Sequence, residues 1–519
     1  MIKESRKVVI IGGGIAGLCA AVYAQQCGYQ VEVLEMHETA GGLATSWRRG
    51  GYTFETCLHW LLGSNPRGTM YRQWAEVFDI DKLDFIYPEE FVRLETERGE
   101  CLRIYSDIEL LEAELLWHAP EDAAEIRRFA SSLRSLTKVE MPDPTAGLAG
   151  NWKAYLHDIP HLPLLRRLTR MTSREYGARF TNPLLRNFFS ESDASQMSAI
   201  ALFFSLAWMH QGDAGYPIGG SQAVIRLIEQ RLASLGGHLR LGARVQKILV
   251  KDGAAVGVQL VDGESIAADW VISAADGHAT LYHLLDGKFI NKPTEKIYNE
   301  FDTFPSYVQV SLGVAHDLSS QPGFVIRVLD EPFQVDPATA LSQISFRIFH
   351  FDPTFAPSGK TAVTTFLPTR DFEYWLQLKQ SVPAAYQEEK QRVAEAAIAV
   401  LERMVPGVGS VIEAIDVSTP ATIIRYTGNW KGSMEGWLPT PTTGFSQLPN
   451  TLPGLRQFLM AGQWIMPGGG LPSGLFTARS AVQSMCRHDH VPFIRGPKPA
   501  GASIPIPTAP PTSASTAAH

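Results

Sequence analysis

The residues best suited to chemistry are three glycines and one acid near the start of the chain. Gly12, Gly14 and Gly17 have the spacing G-x-G-x-x-G, and Glu35 follows Gly14 by 21 residues. Glycines at this spacing let the backbone turn tightly and approach a pyrophosphate, and an acid about 20 residues further on accepts hydrogen bonds from a ribose hydroxyl. The pattern predicts a dinucleotide site, and the carboxylate of Glu35 disfavours a 2′-phosphate on that ribose.

A strand, a helix and a second strand must position these residues. Val8–Ile11 is an apolar, β-branched run typical of a strand that is buried on both faces. The sequence then predicts a helix over Ile15–Gln26, ended by Gly28, and a second strand over Val31–Leu34. The helix would point its free N–H groups at the phosphates of the ligand. A strand–helix turn that binds no ligand is the alternative interpretation.

Further glycines predict two more places where backbone lies against a ligand. Gly41-Gly42 follows Glu35 by six residues. Near the other end of the chain, a short strand is predicted to reach Gly462, and a turn through Gly468–Gly470 leads to a helix that begins near Ser473. A glycine-rich loop without a ligand is again the alternative.

With these motifs, the chain resembles the FAD-dependent amine oxidase and phytoene desaturase superfamily. Residues 216–276 and the segment Thr419-Pro-Ala-Thr422 are also similar to its phytoene desaturase, carotenoid isomerase and retinol saturase group. The resemblance implies an α/β fold with a discontinuous Rossmann-type FAD-binding domain, an α+β substrate domain and a helical lid. It implies FAD as the cofactor, a choice that the first glycine motif alone leaves open between NAD and FAD.

The glycine motifs and the resemblance together predict the residues that contact FAD. Two of them depart from the family pattern, because Leu43 stands where relatives usually carry Arg and Gln463 where they usually carry Asp. The resemblance also implies that Val245 places its backbone beside the adenine. The predicted contacts are Gly12, Gly14, Ile15, Ala16, Gly17, Glu35, Met36, Gly41, Gly42, Leu43, Val245, Gly462, Gln463, Gly470, Leu471, Pro472 and Ser473.

The domains are predicted to alternate along the chain. The FAD-binding domain is expected in three parts, over 1–106, 214–290 and 421–495. A helical lid is expected over 107–213, and a substrate domain made of a mainly antiparallel sheet plus a helix over 291–420. The Pro-rich end, 496–519, is predicted to be a disordered tail.

Three residues are candidates for a polar catalytic group in an otherwise apolar substrate slot. His59 follows the Gly41-Gly42 loop, and Arg425 and Tyr426 follow the Thr419-Pro-Ala-Thr422 segment. His210, at the end of the apolar run 199–209, is a further candidate. A packed histidine or a structural hydrogen bond is the alternative for each. No metal site is predicted, because the five cysteines show neither a C-x-x-C pair nor a zinc-ligand spacing.

Composition and charge narrow the compartment and the partners. The chain has 519 residues, of which 45% are hydrophobic and 19% charged, as in globular proteins with more than one substructure. A net charge of −7 disfavours nucleic acid as a partner. We expect a cytoplasmic protein with reduced cysteines, no signal peptide and no membrane-spanning helix. Five arginines between Leu162 and Phe180 predict either a solvated helix face or a basic amphipathic face that rests on anionic lipid. The sequence leaves the oligomeric state open.

Three functions are weighed on this basis. The leading hypothesis is an FAD-dependent oxidoreductase that acts on the C=C or C–C bonds of a hydrophobic polyene or isoprenoid lipid, carotenoid-like or retinoid-like. Its reaction would be desaturation, saturation or cis–trans isomerisation. The alternatives are a flavin amine oxidase, and a non-catalytic prenyl- or lipid-binding protein with the same fold. The apolar run 199–209 would be a core helix or the lining of a slot for a long apolar substrate.

Overall fold

Two large sheets organise the chain in the computed structural model, which describes residues 6–56, 58–140, 143, 147–190, 193–445 and 447–496. The predicted tail, 496–519, lies outside the described residues except for Gly496. The strands are β1 (Lys7–Ile11), β2 (Gln30–Leu34), β3 (Ser46–Arg49), β4 (Tyr52–Glu55), β5 (Leu61–Leu62), β6 (Phe85–Ile86), β7 (Glu90–Thr96), β8 (Cys101–Tyr105), β9 (Ala214–Pro217), β10 (His238–Arg240), β11 (Val245–Lys251), β12 (Ala254–Leu260), β13 (Ser265–Ala267), β14 (Trp270–Ser273), β15 (Ser306–Val314), β16 (Phe324–Asp336), β17 (Thr339–Ile348), β18 (Thr361–Thr369), β19 (Ile412–Ser418) and β20 (Phe458–Met460). The α-helices are α1 (Ile15–Gln26), α2 (Thr69–Trp74), α3 (Ile108–His118), α4 (Ala123–Leu136), α5 (Gly147–Asp158), α6 (Leu162–Thr169), α7 (Ser173–Gly177), α8 (Pro183–Ser190), α9 (Ile200–His210), α10 (Gly220–Ser234), α11 (Lys292–Glu300), α12 (Phe372–Ser381), α13 (Pro383–Met404), α14 (Pro420–Thr427) and α15 (Gly470–Asp489).

The first sheet is parallel throughout and has the strand order β10-β2-β1-β14-β20. Its centre, β1, is fully buried at Val8, Val9 and Ile10, as expected for a β-branched strand covered on both faces. The helices α1, α10 and α15 cover one face within a single apolar core. The predicted α/β fold with a Rossmann-type domain is confirmed, and this domain is assembled from distant parts of the chain.

The second sheet is mainly antiparallel, with the order β19-β15-β18-β17-β16-β7-β8. One face packs on α12 and α13 around Trp375 and Val393. The strands β7 and β8 fall in the segment 1–106 that the sequence assigns to the cofactor domain. They join this sheet instead, because β7 pairs in parallel with β16, with Arg93 opposite Val325. The other predicted domain boundaries stay predictions.

The helices α3, α4 and α6 to α9 pack on β7 and β8 as a third core, built around Phe129, Tyr176 and Phe203. Asp107 is the N-cap of α3, because its side chain accepts hydrogen bonds from the N–H groups of Glu109 and Leu110. The basic stretch 162–180 is broken into α6 and α7, and Thr172 and Glu175 form a capping box that starts α7. Among the described residues, no helix is both long and apolar enough to cross a bilayer.

Candidate active site

A cavity of about 440 Å³ opens where the strands of the parallel sheet end. Ile11, Leu34, Ala274 and Gly462, which end or follow four of those strands, all line it. The carboxyl edge of such a sheet is where ligands bind in α/β folds. Most of the predicted cofactor contacts lie on its wall, namely Gly12, Gly14, Ile15, Ala16, Glu35, Met36, Gly41, Gly42, Leu43, Val245, Gly462, Gln463, Gly470, Leu471 and Ser473.

Gly17 and Pro472 do not line the cavity. A Cβ added at Gly17 would lie 1.9 Å from the carbonyl oxygen of Gly12, so this glycine lets α1 pack against the turn that follows β1. Pro472 lies inside the first turn of α15, where its missing N–H costs no helical hydrogen bond. Both residues therefore support the backbone that forms the cavity wall without lining the cavity themselves.

Glu35, the acid that the sequence predicts to bind the ribose, already accepts two hydrogen bonds from the protein backbone. The carboxylate of Glu35 accepts hydrogen bonds from the N–H groups of Gly13, at 2.7 Å, and His37, at 3.0 Å. A carboxylate has about four lone-pair positions, so it can accept from a ribose hydroxyl as well. Glu35 thus fixes the glycine turn while it lines the cavity.

The Gly41-Gly42 loop closes over the same turn. The Gly41 N–H donates to the carbonyl of Gly13 at 2.9 Å, and φ is positive at both Gly41 and Gly42. A Cβ at Gly42 would come within 3.3 Å of the Gly14 Cα. Backbone from two loops therefore meets with no side chain between, as an approach to a pyrophosphate requires.

Two helix N-termini face the cavity, and their free N–H groups are available to bind a ligand such as FAD. The first residues of α1 and α15, Ile15 and Gly470, are both on the wall. Neither helix has a side-chain N-cap. The free N–H groups of both helices can donate hydrogen bonds to acceptor oxygens of a dinucleotide. The cavity volume is within the range of cofactor sites. The cavity therefore fits FAD, held by residues from both ends of the chain.

Arg244, Asp276 and Glu435 are charged residues on the wall that are not among the predicted site residues, and Glu435 lies closest to the start of α15. Glu435 faces the start of α15, with a Cβ at Gly470 only 3.9 Å from its Oε1. Burial raises the pKa of Glu435 to about 7. Its only signal in the sequence is an isolated acid between glycines and aromatic residues in the stretch 428–438.

Glu435→Gln is expected to stabilise the flavin-free protein at high pH. Because the pKa of this acid is raised on folding, ionising it costs stability as pH rises from its unfolded pKa through about 7. The variant should gain about 2–3 kcal/mol over wild type at pH 8 and almost nothing at pH 4.5, in urea unfolding. Glu402→Gln is a control of opposite sign, because the N–H groups of Gly407 and Gly409 lower the pKa of Glu402. An equal effect of Glu435→Gln at both pH values would contradict this account.

The structure brings two of the four candidate catalytic residues together, Arg425 and Tyr426, and places His59 and His210 elsewhere. Tyr426 lines the cavity, but its ring packs on His37, with 5.2 Å between centroids, near Glu35. Arg425 lies over the Tyr426 ring at 5.2 Å and is not on the cavity wall. His210 accepts the Ile108 N–H through Nδ1 at 3.1 Å, which is the structural role weighed as its alternative.

His59 lies apart from Arg425 and Tyr426, in an aromatic setting. Its ring is 6.0 Å from the ring of Phe324 and 5.8 Å from that of Phe366, both on the second sheet. Burial, and then the charge of Arg347, hold the pKa of His59 well below its usual range, so the imidazole is neutral. His59 is therefore suited to polar contact or positioning in an apolar site. The role of each of these residues stays a prediction.

Known proteins resemble this chain along most of its length. Prolycopene isomerase of Arabidopsis thaliana is 26% identical over 92% of this chain and 82% of its own. The 4,4'-diapophytoene desaturase of Methylomonas sp is 24% identical over 94% of this chain and 97% of its own, and the phytoene desaturase of Rhodobacter capsulatus is 24% identical over 92% and 93%.

Solved structures share the fold. An oxidoreductase from Methanosarcina mazei superposes with a TM-score of 0.58 at 16% identity, covering 92% of this chain and 100% of that one. Cyclohexylamine oxidase from Brevibacterium oxydans gives 0.59 at 13%, covering 94% and 100%. The family model for flavin containing amine oxidoreductase matches residues 15–486. The chain therefore belongs to the flavin containing amine oxidoreductase family, and its cofactor is FAD.

Proposed function

We propose that this protein is an FAD-dependent oxidoreductase that desaturates, saturates or isomerises carbon–carbon bonds of a polyene or isoprenoid lipid. FAD, when bound, supplies the hydride or electron acceptance that such chemistry needs. The chain itself supplies the cradle described above and an apolar place for the substrate. The names of its relatives, prolycopene isomerase and phytoene desaturase, support a polyene as that substrate.

The observation that carries the proposal is an aromatic wall, which we define as His59, Trp60, Phe91, Phe324 and Phe366. Successive rings lie 5.5 to 6.5 Å apart, from the segment after β4 across to the second sheet. Each side chain keeps part of its surface accessible although it lies between packed elements. Such a wall suits a long apolar substrate, which needs area more than hydrogen bonds.

The test is anaerobic incubation of the purified, FAD-loaded protein, with its flavin either oxidised or reduced by dithionite, with phytoene, lycopene, prolycopene or all-trans-retinoic acid. Flavin absorbance and product double-bond analysis follow the reaction. We expect a polyene to change its double-bond count or geometry, with flavin bleaching if the net reaction is oxidation. Putrescine serves as the matched polar substrate and should leave the flavin oxidised. Bleaching by amines without any polyene conversion would favour the amine oxidase alternative. Binding of a polyene with neither polyene conversion nor flavin bleaching would favour the lipid-binding alternative.

We also propose that the protein rests on anionic membranes while it collects such a substrate. An apolar–basic patch supports this, defined as Trp152, Tyr155, Leu156, Ile159 and Leu162 with the exposed residues Arg166, Arg167 and Arg170. Its apolar side chains are 45% to 58% exposed and lie on consecutive short helices. Apolar side chains beside arginines suit the interface of an anionic bilayer.

Changing Trp152→Ser and Leu156→Ser together should weaken binding to phosphatidylglycerol-containing vesicles about tenfold or more, because two apolar anchors are lost. Co-sedimentation measures this, and phosphatidylcholine vesicles test the charge dependence. Trp117→Ser is the matched control, since this tryptophan is 77% exposed on α3, outside the patch. Equal loss in both variants, or no vesicle binding by wild type, would refute the membrane proposal.

A further inference from the structure

Arg347 is a buried arginine that forms no ion pair with an acid among the described residues. It lies on β17, and only 7% of it is exposed. Among the described residues, its Nε has no hydrogen-bond partner, and Glu55 is the acid whose charge acts on it, without forming an ion pair. Its guanidinium lies over the ring of Phe324, at 4.9 Å. A buried cation without a paired anion is costly to a protein and calls for a ligand.

The guanidinium lies beside the aromatic wall. The ring of Phe324, which Arg347 covers, also packs on His59, at 6.0 Å between centroids. Thr364 stands directly opposite Arg347 on β18, and Phe366 lies two residues further along on the same face. The Thr364 hydroxyl is buried and also has no hydrogen-bond partner in the part of the chain that the structure describes. A cation and a hydroxyl thus lie together beside the aromatic wall.

Two carboxylates of this region, Glu55 and Asp352, already accept hydrogen bonds from other groups. Glu55 accepts from the Leu58 and Ser221 N–H groups, each at 2.9 Å, and from the Ser221 hydroxyl. Asp352 accepts from the Tyr216 hydroxyl at 3.2 Å and the Gly219 N–H at 2.8 Å.

Burial also shifts the pKa values of Glu55 and Arg347. Burial raises the pKa of Glu55 to about 7, so this acid is only partly ionised at neutral pH. Burial lowers the pKa of Arg347 to about 10, which still leaves it a cation. Arg347 is therefore a buried cation that forms no ion pair with a described carboxylate, although the charge of Glu55 acts on it from a distance.

We infer that Arg347 binds the carboxylate of the substrate, so that the substrate is a polyene or isoprenoid acid rather than a pure hydrocarbon. A planar guanidinium accepts a carboxylate in a bidentate pair, and Thr364 can donate to the same group. The apolar body would then lie along the aromatic wall. This inference rests on the proposed function, because it names the substrate class of that same site.

The test compares all-trans-retinoic acid with its methyl ester, which differs only in the charged end. Binding to the FAD-loaded protein is followed by tryptophan quenching and by perturbation of the flavin spectrum. We expect wild type to prefer the acid, and Arg347→Met to lose about 10- to 100-fold in affinity for the acid while ester binding stays unchanged. Arg347→Lys should keep part of the preference, since it retains the charge without the fork.

Arg327→Met is the matched control, because Arg327 lies on the neighbouring strand β16 and pairs with Glu95. It should leave the acid preference intact. Equal loss of acid and ester in Arg347→Met, or no preference in wild type, would overturn the inference while the proposed function stands. A shift of the flavin reduction potential in Arg347→Met with unchanged acid preference would assign the guanidinium to the cofactor and overturn it as well. Failure of wild type to bind acid, ester or lycopene would overturn both proposals.

Discussion

Arg479→Met is expected to lower the apparent free energy of unfolding by about 3–5 kcal/mol, because it leaves buried acids without their cation. Arg479 lies on α15 with 1% of its side chain exposed. It pairs with Glu76 at 2.9 Å and with Asp143 at 2.7 Å, and the Tyr23 hydroxyl donates to Glu76 at 2.8 Å. Arg479 on α15 thus contacts directly both Glu76, which follows α2, and Asp143, which lies between α4 and α5. Through Glu76 it is also linked to Tyr23 on α1.

The loss should depend on pH. Burial already raises the pKa of Glu76 against the opposing charge of Arg479, and removal of that charge will raise it further. Glu76 can then protonate in the folded variant, so the penalty should be largest at pH 8 and smaller at pH 5. Urea unfolding at both pH values measures this. The double variant Arg479→Met/Glu76→Gln should recover much of the loss, and a pH-independent loss without recovery would indicate packing rather than charge.

Two glycine variants should separate folding from cofactor binding. Gly17→Ala places a Cβ 1.9 Å from the Gly12 carbonyl oxygen, so α1 must move off β1. Its expected cost is about 3 kcal/mol of stability, together with loss of FAD. In Gly14→Ala the nearest protein atom to the new Cβ is 3.7 Å away, at the Gly41 carbonyl, but this Cβ enters the cavity.

We therefore expect Gly14→Ala to unfold like wild type when both are free of flavin, yet to bind FAD about tenfold more weakly or worse, since its methyl group occupies the place of a pyrophosphate. The flavin-to-protein absorbance ratio and the melting temperature of the flavin-free proteins measure the two effects. Full FAD occupancy in Gly14→Ala would refute the predicted place of the pyrophosphate.

Local signals in the sequence were sufficient for the elements that carry the cofactor site. The helix α1 has the bounds that the glycines predict, because glycines act on their own backbone. The cavity wall follows from the same motifs, since a glycine spacing specifies which backbone can approach a ligand.

Non-local pairing could not be predicted in this way. The alternation in β7 identifies a strand but does not say that β16, more than 200 residues later, is its partner. The partners of Arg479 and the isolation of Arg347 depend on the same long-range arrangement. Tyr426 shows the limit most clearly, because nothing local places its ring beside His37.

The split construction of the parallel sheet has a consequence for synthesis of the protein. The cavity needs β1 and β2 from the first residues and β20 and α15 from beyond residue 457. At about 5–20 residues per second on the ribosome, the first half of the cradle waits roughly 20–90 seconds for the second. During that time the α1 surface that α15 will cover is exposed, so we expect chaperones to bind the nascent chain. FAD should bind only once α15 has been made and has packed on α1.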